Sequence, residues 1–165
     1  MNAYETPLFE ISVPLRKFLT FTTCPVRWKH FDLYLFSDEQ TTFYVGQSYC
    51  AFDRVWEHLN GGPKARSVVG RFVVNNWPKS GDFAISLLFS QSPRFAPVQN
   101  NLDAAERLLI EALTPCFNVT LNRQPAALPT GYLSPYASVK GLKSYKRMMR
   151  EIGYARKDPS DIEWD

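Results

Sequence analysis

Cysteine is scarce and scattered in this chain: Cys24, Cys50 and Cys116 are the only three, and none forms a CxxC or Cys/His ligand pair. That spacing excludes a structural zinc site and a disulfide framework, and leaves reduced, buried thiols as the expectation. There is no glycine-rich phosphate loop, no Gly-x-Ser-x-Gly elbow and no run of metal ligands, so nucleotide-binding loops and serine-nucleophile chemistry have no foothold. No apolar run approaches membrane-spanning length, and the opening MNAYETPLFEISVPLRKF lacks a basic segment followed by an apolar one. A soluble, cytoplasmic protein with no membrane partner is expected, for which the Asn118-Val119-Thr120 sequon carries no meaning. Internal repeats and low-complexity tracts are missing too. Charge of one sign is not dominant: 19 Lys and Arg face 16 Asp and Glu, a net charge of +3. Such a balance permits a polyanionic partner without requiring one.

What the chain does have is apolar and aromatic mass. Hydrophobic residues make up 45% and aromatics 15% of 165 residues, enough for one domain with a sizeable core. Alternation and aromatic content predict strands over 31–36 and 42–45, joined by the polar turn 37–40. A hairpin centred on Glu39 would set Tyr34 directly opposite Tyr44. Helices are predicted over 51–59 and from Lys64 to about Asn75, the latter with Pro63 at its start. The apolar run 83–89 predicts a strand covered on both faces. A loop over 90–100 leads to an amphipathic helix, 103–113, stopped at Thr114-Pro115. Residues 121–138 are turn-rich, 139–152 form a basic helix, and the tail is acidic. The fold class expected is α+β: a small three-stranded antiparallel sheet flanked by helices. Residues 1–30 form an N-terminal extension packed on the core, 31–120 the central domain, and 121–165 a C-terminal arm.

Three placements stand out against that pattern. At 100° per residue, Leu102, Ala105, Leu109, Ile110 and Leu113 share one face of the 103–113 helix, and Glu106 falls among them. A carboxylate there costs several kcal/mol unless compensated, on the order given by transfer data. Either Asp103-x-x-Glu106 is a capping box, with the Glu folded onto the helix amides, or Glu106 is functional. Arg54 and His58, one turn apart, lie away from the Phe52/Trp56/Leu59 face. They form either an ordinary solvated surface, with Glu57 pairing to Arg54, or one wall of a site. Tyr34 and Tyr44 are either strand aromatics or part of that site.

Taken together, these residues resemble the GIY-YIG endonuclease family. Asp32-Leu33-Tyr34 stands at the GIY triplet and Tyr44-Val45-Gly46 at the YIG triplet, with the two tyrosines ten positions apart. Arg54 follows ten residues after Tyr44, and His58 four later. Glu106-x-x-Leu109-Ile110 is then followed by Pro115 and Asn118 in the family's spacing. The resemblance covers about residues 31–120 and departs from the pattern at Asp32, where glycine is usual.

The resemblance implies metal-dependent hydrolysis of phosphodiester bonds in DNA, restriction-type or selective for structure or strand. Glu106 would hold one divalent cation, Mg²⁺ or Mn²⁺, which suits one or two carboxylates. Arg54 would neutralise charge on the phosphate. Tyr34 would take the proton from water, with His58 relaying it and Tyr44 positioning water or phosphate. Gly46 would let the backbone turn tightly into the helix, Gln47 would contact phosphate, and Asn118 would tie the last helix to the sheet. Lys64, Arg66 and Arg71, with Lys143, Lys146 and Arg147 near the C-terminus, would track the sugar-phosphate backbone, unless they are solvated helix faces. The alternative from another class is a non-catalytic nucleic-acid-binding module of the same fold, for which Asp32 is the one local argument. Oligomeric state is open.

Overall fold

The computed structural model describes residues 7–60, 67–137 and 141–157. An antiparallel sheet of four strands runs through it: Glu10–Pro14 (β1), Leu33–Ser37 (β2), Thr42–Gln47 (β3) and Ala84–Leu88 (β4), in the order β1-β4-β2-β3. The fold is α+β as expected, but the sheet has four strands rather than three. The addition is β1, from the segment expected as an N-terminal extension packed on the core. Phe89 N–H donates to Phe9 C=O and Leu15 N–H to Phe83 C=O, so the odd-numbered residues of this segment face β4. Pro14, with no N–H to give, falls on the free edge, where a strand tolerates proline.

Side-chain alternation splits the sheet between two cores. Leu33, Leu35, Val45 and Leu88 point to one face, where Ala105, Leu109 and Ile110 of the helix Leu102–Leu113 cover them. Tyr34, Phe36, Ile85 and Leu87 point to the other. That face is covered by Leu15–Phe18 (α1), Ala51–Leu59 (α2) and Val68–Asn75 (α3). The 102–113 helix is α4, and the last helix, Gly141–Lys157 (α5), adds Met148 and Ile152 to this larger core.

The β2–β3 hairpin departs from its expected register. Asp38 Oδ1 accepts from Gln40 N–H at 2.9 Å and Thr41 N–H at 2.6 Å, which sets the turn. Pairing runs Ser37 with Thr42 and then Phe36 with Tyr44, so Phe43 is bulged out. Tyr34 therefore pairs with Gly46, not Tyr44. The two tyrosines are diagonal neighbours on one face, with ring centres 6.1 Å apart.

Element ends also shift. The loop predicted over 90–100 contains a 3₁₀ turn at Pro93–Val98. In the described residues α3 begins at Val68, capped by Ser67; Pro63, Lys64 and Arg66 lie outside them, as do Lys140 and the acidic tail. No helix among the described residues is long and apolar enough to cross a membrane.

Candidate active site

The free edge of β3 is where the site is built. Cys116 and Phe117 N–H donate to Thr42 and Phe43 C=O, and the Asn118 amide completes the edge. Its Oδ1 accepts from Val45 N–H and its Nδ2 donates to Val45 C=O, both at 2.9 Å. One side chain thus satisfies both backbone groups of an edge residue, as a neighbouring strand would. Around this edge opens a cleft of about 460 Å³ lined by Tyr34, Tyr44, Gly46, Gln47, Arg54, Glu106 and the 117–121 loop. Because α2 and α4 cover opposite faces of the sheet, Arg54 and Glu106 line one cleft only by reaching round β3.

Gly46 makes room for this arrangement. A Cβ at that position would stand 2.3 Å from the Tyr34 Cζ and hydroxyl oxygen. The residue lies within β3 and has no left-handed φ. Its expected role as a tight turn into the helix is thus replaced by a close approach: the Tyr34 ring crosses over its own sheet partner.

His58 corrects a second expectation. It does not share an outward face with Arg54, being 6% exposed and set among the rings of Tyr34, Phe36 and Tyr44. The cause is α3, which packs on the last turn of α2 and closes over it. His58 Nε2 lies 2.7 Å from the Tyr34 hydroxyl, and Nδ1 lies 2.6 Å from Ser67 Oγ. Burial, aided by the Arg54 charge, holds the imidazole pKa down at about 4, so it is neutral at pH 7. Burial and the neighbouring Tyr44 push the Tyr34 phenol well above its usual range, with Arg54 pulling the other way. Tyr44 is raised by burial and by Glu106, and Arg54 again opposes this.

Arg54 itself is half-exposed and pairs with Glu57 at 2.7 Å. Both expected features are present at once: an i,i+3 surface pair and a place on the cleft wall. A second cavity of about 420 Å³, lined by Glu57, His58 and Ser67, shares Tyr44 and Arg54 with the first.

The capping box at Asp103 is not formed. Asn101 is the N-cap of α4 and accepts from Ala104 N–H at 3.0 Å, which leaves Glu106 too far into the helix to fold back. Glu106 is half-buried and makes no hydrogen bond or ion pair among the described residues. Burial and the neighbouring Asp103 raise its pKa. Asp103 in turn accepts from Gln47 Nε2 at 2.7 Å, so the amide expected to reach phosphate is engaged with this carboxylate.

A half-buried carboxylate with free oxygen lone pairs, opening into a cleft, suits a hard cation that keeps most of its waters. The described residues hold no cluster of three or more His, Cys, Asp or Glu that would make a full protein cage. The fit is to a singly anchored Mg²⁺ or Mn²⁺ at Glu106.

Asp32 faces elsewhere. Its Oδ1 accepts from Ser90 N–H at 2.8 Å and its Oδ2 from Ser90 Oγ–H at 2.5 Å, tying the start of β2 to the end of β4. It adds no carboxylate to the cleft.

Of the outlying basic residues with described side chains, Arg71, Lys146 and Arg147 do not line the cleft. The Arg71 guanidinium packs 5.5 Å from the Tyr136 ring centre, and its Nε is buried without a hydrogen-bond partner among the described residues. Lys146 is exposed, and Arg147 is spent on Glu151 at 2.9 Å. Lys143 lies on α5, while Lys64 and Arg66 are outside the described residues.

Two residues of the site carried no signal in the sequence. Ser67 and Gly70 fall inside the expected 64–75 helix, and only the contact between α2 and α3 gives them a role. Compared with known proteins, the chain matches no family model, no curated protein and no solved structure.

Proposed function

We propose that this chain is a metal-dependent DNA endonuclease of the GIY-YIG type, hydrolysing phosphodiester bonds in the cleft at the β3 edge. The observation that carries this is the convergence of Tyr34, Tyr44, Arg54 and Glu106, drawn from β2, β3, α2 and α4, on one cleft. Pairwise spacing in the sequence made them candidates; their meeting round a strand edge is independent support.

Each residue has work suited to its surroundings. Arg54 is held by Glu57 in an exposed pair worth at most about 1 kcal/mol, so a phosphate can take its place at small cost. The guanidinium then meets the phosphate oxygens with two parallel donors. Tyr44, half-buried between the cavities, orients the substrate. Tyr34 keeps its proton at neutral pH and cannot act as a free phenolate. It can take a proton from water only while handing its own to His58, whose neutral imidazole lies within hydrogen-bonding distance. A divalent cation bound at Glu106 would supply Lewis-acid stabilisation of the charge developing at phosphorus and on the leaving oxygen.

The non-catalytic alternative rested on Asp32, whose two oxygens are both occupied by Ser90. The test is cleavage of labelled single-stranded, duplex, flap and four-way-junction DNA with Mg²⁺, Mn²⁺ or EDTA, comparing the chain with Glu106→Ala. Metal-dependent cutting that disappears in the variant is expected, and the preferred substrate assigns its selectivity. If neither protein cuts while both bind DNA in a salt-sensitive manner, the chain is a binding module.

A further inference from the structure

Gly70 draws α3 hard against the end of α2: a Cβ there would stand 1.8 Å from the His58 carbonyl oxygen. This approach sets Ser67, the N-cap of α3, beside the imidazole. Ser67 Oγ accepts from Gly70 N–H at 3.0 Å and lies 2.6 Å from His58 Nδ1; His58 Nε2 lies 2.7 Å from the Tyr34 hydroxyl. Two hydrogen arrangements satisfy the row. In one, Ser67 donates to Nδ1 and Nε2–H donates to Tyr34. In the other, Tyr34 donates to Nε2 and Nδ1–H donates to Ser67.

The transfer of the Tyr34 proton to His58 proposed above selects between them, because Nε2 can take a proton only on a free lone pair. Nε2 must then be bare, Nδ1 must carry the hydrogen, and Ser67 Oγ must accept it alongside the Gly70 amide. The Ser67 proton is left to the open cavity it lines with His58 and Arg54.

Building on the nuclease function above, we propose that Ser67 is a positioning residue, holding His58 in the Nδ1–H tautomer so that Nε2 can receive the Tyr34 proton. In the step this serves, an O–H bond of water breaks as one forms on Tyr34, while the Tyr34 O–H breaks and an N–H forms at Nε2. The water oxygen's electron pair makes the new P–O bond, and the leaving oxygen departs with the pair of the broken one. The imidazolium keeps Nδ1–H on Ser67 and later releases its Nε2 proton to solvent.

The chain contains its own control. It has two histidines, and His30 Nε2 lies 2.5 Å from the Leu8 carbonyl oxygen, which can only accept. His30 is therefore the Nε2–H tautomer. A two-bond ¹⁵N–¹H correlation spectrum of the ¹⁵N-histidine-labelled chain at neutral pH, assigned with His30→Gln, is expected to show one histidine of each tautomer. Nε2–H at His58 overturns the proposal.

Ser67→Ala should lose the Nδ1–H preference and lower kcat by about tenfold or more, with KM little changed, within the range typical of proton-transfer and supporting residues. Ser67→Asp, a good cap that can only accept, should keep the tautomer and cut faster than Ser67→Ala. Retention of Nδ1–H in Ser67→Ala would show that Ser67 does not set it. If that variant does not fold, the wild-type spectrum still decides. The spectrum needs no activity, so a chain that cuts nothing would sink the nuclease function and leave the tautomer assignment standing.

Discussion

The ring of Tyr34 fills the space in which a side chain at its sheet partner, Gly46, would stand. The pair fixes where the phenol oxygen sits, and through it the contact with His58. Gly46→Ala would put a methyl 2.3 Å from the ring and hydroxyl, and Tyr34, at 1% exposure, has nowhere to swing. A stability loss of about 1–3 kcal/mol is expected, as for other overpacked sites. Cleavage should fall further than the folded fraction accounts for, because the Tyr34–His58 hydrogen bond is displaced. Urea titration and single-turnover cleavage measure the two effects; an unchanged urea midpoint would show that the ring has slack.

Glu106, the metal ligand proposed above, stands at a cost to the fold. Its pKa is raised in the folded chain, so folding favours the protonated form. The penalty is absent below the unfolded carboxylate value near about 4 and grows as pH rises through the folded value. Glu106→Gln should therefore melt higher than the parent at pH 7 and lose that advantage in acid, while abolishing metal-dependent cleavage. A Gln variant less stable at pH 7 would reveal a structural partner for the carboxylate.

Much of the fold was legible in residue pattern, and the reasons for the exceptions are local. Apolar periodicity located β2, β3, α2, β4 and α4, since those elements bury residues at their own spacing. It left β1 out of the sheet because spacing does not say that the N-terminal extension pairs with β4, with Pro14 turned to the free edge. It failed in the hairpin register because the Phe43 bulge and the Asp38 turn depend on geometry that spacing does not encode. His58 looked solvated because its burial comes from α3, an element that only packing places over α2. Glu106 was visible for the opposite reason: a carboxylate on an apolar helix face conflicts with the pattern around it.

His58 gives the fold an acid sensitivity of the opposite sign to that of Glu106. The imidazole is held near pKa 4 when folded, against an ordinary value of 6.5. Between those values the unfolded chain binds a proton that the folded chain refuses, so stability rises with pH across that window. The contribution is present above about pH 6.5 and is lost as pH falls towards 4, up to about 3 kcal/mol at 1.36 kcal/mol per unit. Urea midpoints measured from pH 4 to 7 should slope upward in the parent and more weakly in His58→Gln. Equal slopes would place the titrating group elsewhere.

Asp32 separates structural from catalytic departures at the head of β2. Glycine at this position would match the GIY-YIG pattern that the sequence resembles, yet the carboxylate here makes two hydrogen bonds to Ser90, at 2.8 and 2.5 Å. Asp32→Gly should leave the Ser90 N–H without its acceptor and destabilise the chain by about 1–3 kcal/mol, the usual cost of an orphaned partly buried donor. The cleft lies round the edge of β3, away from this clamp. Cleavage per folded molecule should consequently be unchanged, measured at a temperature where both proteins remain folded. A gain in turnover would mean that the Asp32 charge reaches the phosphate site and restrains it, and Asp32→Asn, which keeps an acceptor for the Ser90 amide without the charge, would then show the same gain.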